Sequence, residues 1–286
     1  MELARIAFEP QNYHAVYRNY TIFLWLLKLG SLINLYFLLN VHALASSGAA
    51  LEIVLPAQIF FAVSGYRCLF PVRYEHNVVF HDSVVSSVFM TRVLATFSEV
   101  AYIFLLSYVL CLLNIDQVKW VTALSWLMVA LVVISQGFVW AAILTGELGL
   151  YFYEELGWAL LFFANTVASA YLYMTGGAIG GKDILLKLNL LFGIVYLPWQ
   201  ALHLRSLLAN ARRSTARPQT GFVSIWSGLA TRLKQAVLVK SRRTDADAWG
   251  GLIGLTWMTA YWATLIPIWV YYIVVVLASA QARVRT

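Results

Sequence analysis

The stretch VVSSVFMTRVLATFSEVAYIFLLSYVLCLL, Val84–Leu113, decides how this chain is read. It is an apolar run longer than the roughly 20 residues a helix needs to cross a bilayer, yet it contains Arg92 and Glu99, with His81 and Asp82 just ahead of it. At 100° per residue, seven positions bring Glu99 to within about 20° of Arg92, and eleven bring His81 to a similar offset. Thr96, one turn from each, lies about 40° away. The spacing predicts a stripe of His81, Arg92, Thr96 and Glu99 on a helix otherwise made of apolar side chains. A charge facing lipid costs roughly 2.5–3.5 kcal/mol on insertion scales, so the stripe is expected to face protein or water.

The rest of the chain has the composition that such a helix needs around it. Of its 286 residues, 61% are apolar and 12% charged, whereas a soluble domain carries roughly 25% charged residues. Apolar runs of spanning length recur along the chain, which predicts an all-α, polytopic integral membrane protein forming a single membrane domain over residues 1–286. Which membrane hosts it is not readable from the residues.

Residues 1–19 form a polar and aromatic cytoplasmic segment. Spans are expected at about Tyr20–Asn40, Leu51–Phe70, Val84–Leu113, Trp120–Thr145, Leu156–Thr175 and Ile184–Leu202, so residues 20–202 hold six transmembrane helices. Residues 203–247 form a basic loop, and a seventh helix, Trp249–Ala278, leads into a short tail within residues 248–286. Lys and Arg set the orientation. With the N-terminus inside and the C-terminus outside, the inner segments hold thirteen of them, including Arg67 and Arg73, and the outer ones five.

The net charge of +7 is concentrated in the basic loop, where nine Lys and Arg face only Asp245 and Asp247. Beside membrane spans this charge points to anionic lipid of the cytoplasmic leaflet rather than to nucleic acid. Phe222, Ile225, Leu229, Leu233 and Ala236 recur there at helical spacing, which predicts an amphipathic helix between the sixth and seventh spans. Arg232, Lys234, Lys240, Arg242 and Arg243 would contact the membrane surface.

Intramembrane ionisable groups mark ion paths, proton paths or ligand counter-charges. Glu99 is the candidate titrating or cation-binding group and Arg92 its counter-charge, although Arg92 lies near enough to the span's inner end to snorkel. Glu99 is some 10 Å deeper. His81, Asp82 and Glu155 would form the cytoplasmic mouth. Asn165, with Asn189 and Gln136, reads as an interhelical hydrogen-bonding group. A metal is conceivable among His76, His81, His203 and Glu154, since histidine and carboxylate are usual ligands, but none of them has the i, i+4 spacing of a helical metal site. No cofactor is predicted. Cys68 lies at the end of the second span and Cys111 near the far end of the third, on opposite sides of the bilayer where spans alternate, so no disulfide is expected. The run Gly176–Lys182 imitates part of a phosphate-binding loop, but Asp183 stands where Ser or Thr would hold magnesium.

Two family comparisons bear on this reading. A retinal protein needs a Schiff-base lysine in its last span, and Trp249–Ala278 has none, which excludes retinal. The N-inside, seven-span topology is similar to that of the adiponectin-receptor and alkaline-ceramidase hydrolases. Their paired His-x-x-x-His in the final span is absent, so no site residue is carried over. Three functions remain open. The leading one is a small-solute or ion pathway, or a ligand-sensing bundle, centred on the third span. The others are a membrane enzyme acting on a lipid or hydrophobic substrate at the inner face, and a non-catalytic subunit packed against membrane-protein partners or a second copy.

Overall fold

A computed structural model of the protein describes residues 19–46, 48–74, 77–147, 149–176, 183–214 and 223–285. Glu75 and His76, the segment before Asn19, and most of the Gly-rich run at 177–182 lie outside the described residues. The chain is mostly helical. Six helical stretches are long and apolar enough to cross a membrane, namely Thr21–Ser46, Val88–Leu113, Lys119–Thr145, Gly149–Met174, Asp183–Ala209 and Gly251–Ser279. A multi-pass membrane protein has this architecture. Leu51–Leu69 is a further helix outside those six, shorter and interrupted by Glu52, Pro56 and Arg67.

The first stretch is two helices, α1 (Thr21–Leu26) and α2 (Leu29–Ser46), separated by a tightened turn in which the Lys28 N–H donates to Trp25 O at 3.2 Å. Next come α3 (Leu51–Leu69), α4 (Val88–Leu113), α5 (Lys119–Thr145), α6 (Gly149–Met174) and α7 (Asp183–Ser214). Consecutive helices from α2 to α7 pack as neighbours. Short connections between apolar elements favour this antiparallel succession.

The third span differs from a single helix over Val84–Leu113. Val84–Ser86 is one 3₁₀ turn and Ser87 is extended, with its Oγ accepting from the Met90 N–H at 3.1 Å. A serine in that conformation is a natural N-cap, and it starts α4 at Val88. His81 is thereby detached from the helix that carries Arg92.

The last stretch also departs from one helix. A 3₁₀ turn at Asp247–Trp249 leads through Gly250 (φ +80°) into α9 (Gly251–Trp257), then a π-helical turn at Met258–Ala263, then α10 (Leu265–Arg285). The cause is Pro267, which lacks an N–H and whose ring crowds the carbonyl four residues earlier, that of Ala263. The chain widens there, and the Thr264 N–H and hydroxyl both bond to Thr259 O, at 3.0 and 2.8 Å. This segment packs on α2 and α3.

At one end of the bundle, β1 (Val72–Arg73) pairs antiparallel with β2 (Val78–Val79), which pairs in parallel with β3 (Ser241–Arg242). Asn19 bridges to Asp245 at the same end, where the Tyr20 N–H donates to Thr244 O at 2.7 Å. The start of α1, the α3–α4 connection and the end of the basic segment therefore share one face of the molecule. The helix expected in the basic segment is α8 (Val223–Leu238), which lies against α4 and α5 with Ala236 buried and Arg232 and Lys234 exposed.

Phe60, Phe61, Tyr102, Ile103, Leu105, Leu106 and Ile273 build the bundle interior, while Leu32, Phe97, Ile134, Phe163, Leu191 and Ile194 are exposed around its girth. An apolar girth over a packed interior is what a lipid solvent selects.

Candidate functional site

Four helices contribute to one buried charged cluster. Arg92, the fifth residue of α4, is 1% exposed, and its Nη2 donates to Glu99 Oε2 at 2.7 Å. The same nitrogen donates to Gln136 Oε1 on α5, and Gln136 Nε2 donates to Glu99 Oε2 at 2.9 Å. Glu99 also meets Arg67 Nη1 of α3 at 3.5 Å, and Arg92 Nη1 lies 3.7 Å from Glu154 Oε1 of α6. Two guanidinium groups thus face two carboxylates among buried groups. Moving a lone charge out of water is prohibitive, so a charge at this depth persists only when paired and hydrogen-bonded. Glu99 lies about 16 Å along α4 from its first residue. Both Arg92 and Glu99 are enclosed by protein.

Local packing explains why the helices come this close. Gly157 of α6 faces Ser135 of α5, where a Cβ would lie 1.9 Å from the serine Oγ. Gly157 therefore allows the close approach that lays Glu154, one turn from it on α6, beside Arg92 and Gln136, the residue next to Ser135. On the opposite wall, the π-helical turn presents Trp262 to Arg67, whose guanidinium stands 4.3 Å from the ring centroid. The turn frees the Trp262 carbonyl, and Asn34 Nδ2 of α2 donates to it at 2.9 Å. π-turns of this kind occur frequently at functional sites.

The cluster forms part of the wall of a cavity of about 400 Å³, a volume typical of small-molecule sites. Arg67, Arg73, Arg92, Glu99, Glu154 and Glu155 supply its charge. Aromatic rings supply much of the rest, among them Tyr102, Trp158, Phe162, Phe192, Tyr196, Trp257 and Tyr261. The hydroxyls of Tyr102, Tyr196 and Tyr261 and the Nε of both Arg67 and Arg92 are buried without a hydrogen-bond partner among the described residues. At the rim, Glu155 Oε2 accepts from Gln200 Nε2 at 2.7 Å, and its Oε1 lies 3.8 Å from His203 Nε2. His203 stacks on Trp199 with centroids 5.3 Å apart. Further along α4, toward the other end, Leu105, Leu106, Val109, Leu110 and Leu113 are fully buried and do not border the cavity.

Of the residues expected at a site, Arg92, Glu99, Glu154, Glu155 and His203 border this cavity, and the others are placed elsewhere. Thr96 bonds back to Arg92 O at 2.9 Å and accepts from Trp140 Nε1 at 3.0 Å, one turn along α5 from Gln136, and does not border the cavity. Asn165 accepts from Asn189 Nδ2 at 3.3 Å, joining α6 to α7. The His81 ring packs among Trp25, Phe70 and Phe80. Asp82 pairs with Lys240 at 3.2 Å. His76 lies outside the described residues, and among those described no three His, Cys, Asp or Glu side chains gather as a ligand set. Gly250 and Gly254 serve the backbone rather than helix packing, since a Cβ on Gly254 would meet Trp249 O at 1.7 Å.

Arg67 is the member of the buried cluster that the sequence reading leaves out, whereas Gln136, expected as an interhelical hydrogen-bonding group, bonds to Arg92 and Glu99 within it. Arg67 falls inside the span expected at Leu51–Phe70 but reads with the polar residues of the following inner loop, whereas α3 carries it in its last turn, ending at Leu69. The signal was Pro71, a truer end to the helix than the first charge. Compared with family models, curated proteins and solved structures, the chain matches none of them.

Proposed function

We propose that this is a seven-span membrane protein, N-terminus inside, whose one-sided vestibule binds a small amphipathic solute as part of a solute pathway or a ligand sensor. The solute's polar group would lie at Arg67, Arg92, Glu99 and Glu154, and its apolar body between the aromatic rings. The observation that carries this reading is the cavity itself, charged on one wall, aromatic on the others, and bordered by no residue of α4 beyond Tyr102. An open ion channel would need a polar route past Leu105, Leu106, Val109, Leu110 and Leu113, whose apolar side chains are fully buried. A binding cavity with access from one face needs none.

Two arguments support seven spans. The start of α1, the β1–β2 connection and β3 share one end of the bundle, so α3 must bring back across it the chain that α1 and α2 carry away. Its 19 residues give roughly 28 Å of helix, close to the thickness of the hydrocarbon layer. The positively charged end is assigned to the cytoplasm by the excess of Lys and Arg there.

The test uses purified protein and a panel of aromatic carboxylates, aromatic amines and aromatic amino acids, read by thermal stability. At least one class is expected to raise Tm in the wild type and to fail in Met258→Trp, where an indole fills the cavity. If no class separates the two proteins, the vestibule is not a solute site. A second reading, a membrane hydrolase, is favoured by the Glu155–His203 pair at the rim. Turnover of a lipid ester that is lost in His203→Ala would select it.

A further inference from the structure

A second site lies outside the bundle core, in the groove where the first span meets the loop before α4. It is lined by Lys28, Leu69, Phe70, His81, Asp82, Ser83 and Arg242. We propose that this groove binds the phosphate of an anionic phospholipid from the surrounding leaflet. The inference is independent of what the vestibule binds.

Three observations carry it. First, the charge in the groove is net positive, Lys28 and Arg242 standing against Asp82 alone. Lys28 stands at the break between α1 and α2, with its Nζ 4.0 Å over the Trp25 ring. Arg242 reaches the groove from β3, which is fixed by its pairing with Val79. Neither cation makes an ion pair among the described residues. The nearby carboxylate, Asp82, is already engaged by Lys240 at 3.2 Å, and Lys240 also donates to Ser83 O at 2.8 Å. Second, the two cations act on a common point. Burial, then the charges of Lys28 and Arg242, hold the His81 imidazole below its ordinary value, so His81 adds no positive charge of its own there. Third, the groove opens onto exposed apolar side chains. Trp25, Leu26 and Leu29 are each more than half exposed, and Leu69 is 40% exposed. Cations at the level where a spanning helix emerges, beside an apolar surface running into the bilayer, match a phosphate and its acyl chains together. A soluble anion would find the charge but leave the apolar flank unused.

The experiment adds lipid to the purified protein in a neutral detergent and reads both melting temperature and lipids retained in native mass spectrometry. Probes are phosphatidylglycerol, phosphatidylcholine and inorganic phosphate. Phosphatidylglycerol is expected to raise Tm and to be retained, whereas the other two do neither. Lys28→Gln with Arg242→Gln should weaken phosphatidylglycerol retention at least tenfold, and Arg242→Gln alone, at an exposed position outside the spans, should weaken it several-fold in a fully folded protein. Arg232→Gln with Lys234→Gln, on the exposed face of α8, should leave it unchanged. Retention by the Arg242→Gln variant equal to that of the wild type, or a Tm rise reproduced by inorganic phosphate, overturns the proposal.

Discussion

The molecule holds two collections of charge under opposite rules. Within the bundle, Arg67, Arg92, Glu99 and Glu154 are buried and balance two against two. In the basic segment, nine Lys and Arg face two Asp, and Arg232, Lys234 and Arg242 are exposed. Water and lipid headgroups tolerate the second imbalance because the surrounding dielectric is high and salt screens it. The interior tolerates none. An unpaired buried charge there costs several kcal/mol, so each ion constrains the identity of its neighbours in a way that no surface lysine does.

Removing one partner inside should do the most damage. Arg92→Leu takes the cation from Glu154 and leaves Glu99 with only Arg67 and Gln136, with an expected loss of about 3–5 kcal/mol, visible as a lower Tm and poor recovery of monodisperse protein. Arg92→Leu combined with Glu99→Leu should be less harmful than the sum of the single changes. Strict additivity in that cycle would break the claim that the two act as a unit. Gly157→Ala comes next. Its methyl would collide with Ser135 Oγ, at about 1–3 kcal/mol for an overpacked contact, and Ser135→Ala should recover part of the loss in thermal melts. Changes in the basic segment should hardly register as stability. Arg232→Gln with Lys234→Gln is expected to shift it by less than about 0.5 kcal/mol, while weakening association with anionic vesicles in a salt-dependent way. The smallest effect belongs to His81. Burial, with Lys28 and Arg242 nearby, holds its imidazole below the ordinary value, so the unfolded chain takes up its proton first. Stability should therefore fall as pH drops below about 6.5, and His81→Gln should flatten that slope in melts recorded between pH 7 and pH 5.

The contrast also marks what the sequence could disclose. Arg92 and Glu99 are seven residues apart in an apolar run, and helical periodicity alone put them on one stripe. Their partners come from α3, α5 and α6, and nothing in local spacing announces which residues of other helices will meet. Gln136 read as an ordinary intramembrane amide, and Arg67 read with the polar run of the loop that follows its span. His81 shows the opposite failure. Extending the helical period back to it ignored the serines at positions 83, 86 and 87, whose side chains compete for backbone hydrogen bonds and favour a cap over helix. The apolar spans and the basic helix α8 were legible because long apolar runs and a helical repeat of apolar residues among cations both leave compositional traces. The cavity left none, because it depends on the widened turn at Met258–Ala263 and on rings brought together from distant parts of the chain.

That widened turn has a consequence for the order of assembly. Its loosened Trp262 carbonyl is held by Asn34, near the start of the bundle, and its indole covers Arg67. During synthesis, the helices carrying all four buried ions enter the membrane before this segment leaves the ribosome. The nascent bundle consequently waits with one guanidinium unsheltered until the last helix arrives and latches onto the first. Completion of the cavity wall is therefore a late event in biogenesis, and it joins the two extremes of the described chain.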